Sequence, residues 1–326
     1  MQEKNIIANT YWANNERFAD VMNVGMFQEK VLTAEQLSER DGYLGHAEKE
    51  KEGSSIQRNR DVTKKAAFGT SFVILTAENQ NDIHYAMPVR IMGYEFMDYN
   101  RQLKEIKAVH EKKKDLYGAE YISGFSKDDK LQPVCTLVIY YGKEPWKGPT
   151  KLSDMMDFSK LPETVRNMVA DHPIHIIDAR RFEDSEKLET DARLFFGMIQ
   201  RDENADEWEK YVEENKEAFQ NISSDTYDAI ATFTKTGRFL ENKEKYLDVE
   251  GDVDMCKAMD DLIKRGEERG EKRGEKRGEE RGKKMGELRI VKLIECMTAD
   301  GMLNSIPQIA TDSDFCQRMF EKYEIE

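Results

Sequence analysis

Three residues set the chemical question. Glu78 and Gln80 close an apolar run, "FVILTAENQ", at residues 72–80, and Asp61 opens the run before it. Side chains two apart on a strand point to the same face, so the carboxylate and the amide emerge together. The two runs, 60–67 and 71–79, flank Gly69 and read as a hairpin, which sets the start of the first beside the end of the second. Asp61 then faces Glu78. Two carboxylates at the end of a sheet form a seat for Mg²⁺ or Mn²⁺, hard cations held by one or two carboxylates plus water and substrate phosphates. Such an ion activates a water and offsets charge on a phosphodiester. Surface carboxylates at a strand end have the same look, and spacing alone leaves both readings open.

The surrounding elements must position these groups. Residues 10–40 read as mostly helical, with Phe18, Val21 and Met22 on one face. Residues 41–57 read as an exposed charged loop. After the hairpin, Tyr85, Val89, Met92, Phe96, Tyr99 and Leu103 recur at intervals of 4, 3, 4, 3 and 4, and are expected to form the core face of a long helix with Pro88 in its first turn. "QPVCTLVIYYG" at 132–142 reads as a buried strand and "HPIHIIDAR" at 172–180 as another short strand, with Trp146 anchoring the "KEPWKGP" loop between them. Beyond them Trp208, Tyr211, Val212 and Phe219 share a helix face. The repeat "RGEERGEKRGEKRGEERG" at 265–282 reads as a solvated helix or linker, because each Gly costs about 1 kcal/mol of helix propensity. Ile290, Leu293, Ile294 and Met297 then mark a last helix.

The net charge of −14 argues against nucleic acid wrapped along the whole chain, but residues 58–114 carry eleven Lys or Arg against seven Asp or Glu and are locally basic. The cysteines Cys135, Cys256, Cys296 and Cys316 form no C-x-x-C pair, which disfavours a zinc site or a disulfide scaffold. No signal pattern opens the chain and no apolar run is long enough to span a bilayer, so a cytoplasmic protein without membrane contact is expected.

"RDVTKK", "AENQNDIHYAMPVRIMGYEFMDYNRQL" and "CTLVIYYGKEPWKGPTKLSDMM" together resemble the Rpn family of recombination-promoting nucleases, also described as transposases, within the PD-(D/E)XK superfamily. The resemblance runs from about residue 10 to about 240. It implies an α/β fold, a restriction-endonuclease-like core with a small mixed sheet flanked by helices, here over 1–180. A helical extension (181–250), the charged repeat (251–285) and a C-terminal helical segment (286–326) would follow. It implies a Mg²⁺-dependent deoxyribonuclease that hydrolyses phosphodiester bonds and promotes recombination. Asp61 and Glu78 match the metal-binding acids, and Gln80 stands where most of the superfamily has lysine. A neutral amide orients a water but carries no charge, so more of the electrostatics falls to the metal. The resemblance also implies an assisting acid on the first helix, Asp20 or, one turn earlier, Glu16.

Lys64, Lys65, Arg90 and Arg101 are the candidate phosphate contacts, which would position DNA without reading its sequence. Asn100 and Gln102 either line the cleft or bound the helix core. The rival reading is a DNA-binding or interaction protein that keeps the fold without cleaving. Dimerisation is expected only by analogy with superfamily members that cut both strands, and the C-terminal helices are a candidate association element.

Overall fold

A computed structural model describes residues 2–40, 61–234 and 242–325. The 41–57 loop lies outside the described residues. Five strands form one mixed sheet in the order β1 (Leu37–Glu39), β2 (Val62–Phe68), β3 (Ser71–Gln80), β4 (Val134–Tyr140) and β5 (His175–Asp178). The first three strands are antiparallel, and β4 and β5 run parallel to β3. The hairpin is as the sequence implies. Phe68 pairs with Ser71 across a two-residue turn, and Gly69 sits at φ +63°, where a residue without Cβ carries no steric penalty.

On one face lie α1 (Gln2–Ala13) and α2 (Asn15–Met22), whose Trp12, Phe18, Val21 and Met22 are fully buried. Asn14 caps α2 by accepting the Arg17 backbone N–H. The helical expectation for 10–40 fails beyond Phe27. A π-helical turn, Asn23–Phe27, ends the helix, and residues 37–39 pair with Ala66, Lys65 and Lys64 as an edge strand. That pairing satisfies backbone groups along the outer edge of β2, a demand that helix propensity does not register.

On the other face lies α3 (Met87–Lys113), and here the expected core face is overturned. Tyr85 and Phe96 are about two-thirds exposed, and Val89, Met92 and Leu103 are exposed as well. The buried positions are Met87, Ile91, Tyr94, Asp98 and Gln102. The sheet surface beneath explains the rotation. It offers Glu78 and Thr136, which bond Arg90 and Glu95 of the helix. Buried polar groups must be hydrogen-bonded, and that requirement outweighs the apolar area gained by turning the tyrosine–valine–methionine stripe inward. Trp146 does anchor its loop: it packs edge-on against Tyr140 and onto the Met87, Ile91 and Tyr94 cluster.

Two short helices, α4 (Gly118–Ser123) and α5 (Glu163–Arg166), sit in the connections. Then α6 (Ala192–Arg201), α7 (Ala205–Glu214), α8 (Lys216–Phe219) and α9 (Ser224–Phe233) pack into the same unit as the sheet, Met1–Ala258. Trp208, Tyr211, Val212 and Phe219 are buried. Arg17 ties α2 to this layer. Its Nε and Nη2 donate to the two Asp191 oxygens at 2.7 and 2.9 Å, and Asp191 also accepts from Ser223 and Thr226. Burial works against the Asp191 charge, but Arg17 and the hydroxyls win and hold its pKa below the usual carboxylate value.

The second unit is Met259–Glu326. Within α10 (Met255–Ala299) the Arg-Gly repeat is continuous helix and exposed from Gly266 to Gly282. Leu293 and Met297 pack with Ile325, Phe315 and Phe320, the last two from α11 (Ser313–Lys322).

Two predictions follow from the packing. Asp191→Ala removes the hydrogen-bonded counter-ion of the buried Arg17 guanidinium, leaving only the looser Asp225 at 3.8 Å, and should cost about 3 kcal/mol in urea unfolding. The second concerns His110 near the end of α3, whose Nδ1 and Nε2 meet Asp115 and Asp129 at 2.6 and 2.9 Å. Asp115, against the cost of burial and with help from Asp129, raises the His110 pKa. A raised histidine stabilises fully below its unfolded value, about 6.5, and loses that contribution as pH climbs through its folded value. Between about pH 5.5 and pH 8.5 the wild-type urea midpoint should therefore fall further than that of His110→Gln.

Candidate active site

Asp61 precedes β2, and the register carried one step past Val62↔Ala77 sets it opposite Glu78. The local sequence explains the arrangement. "FVILTA" buries β3 along most of its length, and the strand runs out at Glu78 and Gln80, where α1, α3 and the segment after Tyr140 converge. Glu78 and Gln80 share the face toward α3, as period-two alternation requires.

The guanidinium of Arg90, in the first turn of α3, joins them. Nη2 donates to Glu78 Oε1 at 2.6 Å, Nη1 to Gln80 Oε1 at 3.1 Å, and Nε to the Tyr94 hydroxyl at 2.9 Å. Glu78 is 1% exposed and the Arg90 side chain 29%. Asp61 faces the same positive charge. Burial raises the Asp61 pKa, opposed by the Asn79 N–H, the Asn9 side chain and Arg90. The Asn79 N–H donates to Asp61 Oδ2 at 2.7 Å. Gln80 Nε2 donates to the Asp82 carbonyl at 2.8 Å, so both ends of the amide are fixed.

Behind Asp61 runs a buried polar chain. Trp12 Nε1 donates to the Tyr141 hydroxyl, which donates to Asn79 Oδ1, and Asn79 Nδ2 donates to Asn9 Oδ1 beside Asp61. Burial raises the Tyr141 pKa well above the ordinary phenol value, so the hydroxyl stays a donor. Sequence reasoning missed Asn9, Asn79 and Tyr141, which gave no local signal. Tyr94 had one: it lies four residues after Arg90, the spacing of neighbours on one helix face.

The donor set suits a hard divalent cation. Glu78 and Gln80 oxygens accept from the Arg90 guanidinium, and Asp61, opposite Glu78 in the register, feels the same positive charge, so carboxylate and amide oxygens lie beside one cationic group. The cluster Asp248, Glu250 and Asp252 is a separate group of exposed or half-buried acids.

Other expected site residues lie elsewhere. Asp20 is buried, and its Oδ2 accepts from the N–H of Glu189, the N–H of Thr190 and the Thr190 hydroxyl. It pins the approach to α6 and, with Glu16, lines a different hollow, so it is not an assisting acid at Asp61. Lys64 is fully buried on the α1 side of the sheet, donating to Ala13 O at 2.7 Å and Glu39 Oε1 at 2.6 Å, and is closed to phosphate. Lys65 lies over the Phe72 ring and pairs with Ile74, four residues or roughly 13 Å along β3 from Glu78. Arg101 bonds Glu105 and stands roughly 16 Å along α3 from Arg90. Gln102 donates to and accepts from the Gln132 backbone, a boundary role. Arg90 alone of the four basic residues reaches the site.

Lys64→Met keeps the volume but loses the bonds to Ala13 and Glu39. It should lower unfolding free energy by about 1.5–3 kcal/mol, read from urea denaturation, because bonds made by a charged donor are worth that much.

No curated protein and no solved structure matches the chain. Among the described residues no helix is long and apolar enough to cross a membrane. The family model described as "Putative transposase, YhgA-like" matches residues 62–228, just over half of the chain, from the first residue of β2 into α9. That span contains Glu78, Gln80 and Arg90, and the chain belongs to this family.

Proposed function

We propose that the chain is a metal-dependent DNA endonuclease with a restriction-endonuclease-like core, acting in transposition or recombination. Membership of a transposase family supports a transposition-related role and DNA as partner. The observation that carries the nuclease reading is the convergence of Asp61 and Glu78 on one cationic position at the shared end of β2 and β3.

Asp61 and Glu78 would hold Mg²⁺ or Mn²⁺. When bound, such an ion lowers the pKa of a coordinated water and neutralises charge on the phosphodiester. The protein groups then have defined tasks. The Asn79 N–H and Asn9 fix the Asp61 carboxylate in orientation. Gln80, its amide nitrogen tied to the Asp82 carbonyl, presents its oxygen to the site and can accept a proton-bearing ligand such as water. Arg90 is the nearby group able to meet phosphate oxygens with a fork of N–H donors.

The Arg90–Glu78 ion pair also favours the second reading, a DNA-binding protein that does not cleave, because it neutralises one of the two acids. One assay separates the readings. Purified protein with Mg²⁺ or Mn²⁺ should nick supercoiled plasmid, with chelator, Asp61→Ala and Glu78→Ala each returning the rate to background. Equal nicking by all three proteins, or none by the wild type, would remove the nuclease.

A further inference from the structure

The positive charge at this site comes from a helix, and it lies on one of the two Glu78 carboxylate oxygens, Oε1. The Arg90 guanidinium spans Glu78 Oε1 and Gln80 Oε1, the two strand oxygens that point toward α3. Resting on the metal-seat reading above, we propose that Arg90 fills that seat in the metal-free protein and must leave it for a divalent cation to bind. Cation entry and release of a phosphate-binding arginine are then a single event.

Three observations carry the inference. First, the Arg90–Glu78 separation is 2.6 Å and Glu78 is 1% exposed, so water does little to screen the carboxylate and the guanidinium supplies its counter-charge. Mg²⁺ approaches a carboxylate oxygen to about 2.1 Å. An arginine and a dication cannot both sit against one oxygen without strong like-charge repulsion.

Second, the latch is local. The Tyr94 hydroxyl accepts from Nε one turn along the same helix and holds the fork toward Glu78. With its side chain 29% exposed, Arg90 borders solvent, and a long flexible stem can carry its guanidinium outward by rotation about side-chain bonds.

Third, position 80 is a neutral amide. A site lacking a lysine on the strand gains mobile positive charge from the helix, and a guanidinium freed from Glu78 matches the bidentate geometry of a phosphate. Cleavage-competent charge would thus appear only when the ion is in place, which limits phosphate capture by the metal-free protein.

The test is Mn²⁺ binding to the full chain without DNA, followed by the free-ion electron paramagnetic resonance signal, in the wild type, Arg90→Gln and Tyr94→Phe. If Arg90 fills the seat in most molecules, only a minor fraction is competent to bind, and removing the occupant should tighten Mn²⁺ binding about tenfold or more. Tyr94→Phe, which deletes one hydroxyl and keeps the ring, should tighten it by a smaller factor and carries the test if Arg90→Gln folds poorly. Thermal melts add an independent readout: Arg90→Gln should melt below wild type in chelator, and Mn²⁺ should raise its midpoint by more than that of wild type. Equal Mn²⁺ affinity in all three proteins, with binding abolished by Asp61→Ala, would overturn the displacement while leaving the metal seat standing. No Mn²⁺ binding by any of them at millimolar concentration would remove the metal seat, and this inference with it.

Discussion

A carboxylate buried at the end of a strand must have a counter-charge, and Glu78 governs much of what surrounds it. Its partner, Arg90, must lie in the first turn of α3 to reach it. That fixes the rotation of a 27-residue helix. Thr136 beneath the next turns takes Glu95, Gln102 holds the backbone leading into β4, and Asp98 pairs with Arg40. The helix therefore buries a mixed face, Met87, Ile91 and Tyr94 together with Asp98 and Gln102, and leaves Tyr85, Val89, Met92, Phe96 and Leu103 at the surface.

The opposite face of the sheet obeys the same rule with other residues. Asn79 points there, and its bonds to Asn9 and Tyr141 tie α1 to the end of β4. Trp12 completes the chain, and Phe195, Phe196 and Phe233 pack around it and Tyr141. Arg17 and Asp191 bind α2 to the layer containing α6 and α9. Asp61 thus stands where two polar networks meet, one through Asn9 and one through Arg90. On the α1 side the partners are the half-buried Asn9 and the buried Asn79, and on the α3 side the partner is one long, partly exposed side chain.

The repeat in α10 is organised differently. Among the described residues no atom lies within 4 Å of where a Cβ at Gly266, Gly270, Gly274, Gly278, Gly282 or Gly286 would stand, so no packing among them demands these glycines. The segment is rich in Glu, Lys and Arg, long side chains of favourable helix propensity, and Arg265 pairs with Asp261 one turn earlier. Downstream, the residues after 286 regain an apolar stripe, and a small core of Leu293, Met297 and Ile325 forms.

Local chemistry determined the strands β2 to β5, the turn at Gly69, the helix after β3, and the placing of Asp61 beside Glu78 and Gln80. β-branched runs, a left-handed glycine and hairpin register all act within a few residues of one another. The family resemblance was also legible in those blocks. Tertiary structure alone decided which face of α3 turned inward, since the inward face had to match a sheet surface that offers Glu78 and Thr136 beside Val138, and the Met87, Ile91 and Tyr94 side meets both while Arg90 and Glu95 flank it. It also decided that Lys64 is buried, through partners 51 and 25 residues away, and that Asp20 serves Glu189 and Thr190 across 169 and 170 residues. A lysine or aspartate carries no mark of such distant partners in its own neighbourhood, because the energy of a buried charge belongs to the pair, and only folding makes the pair.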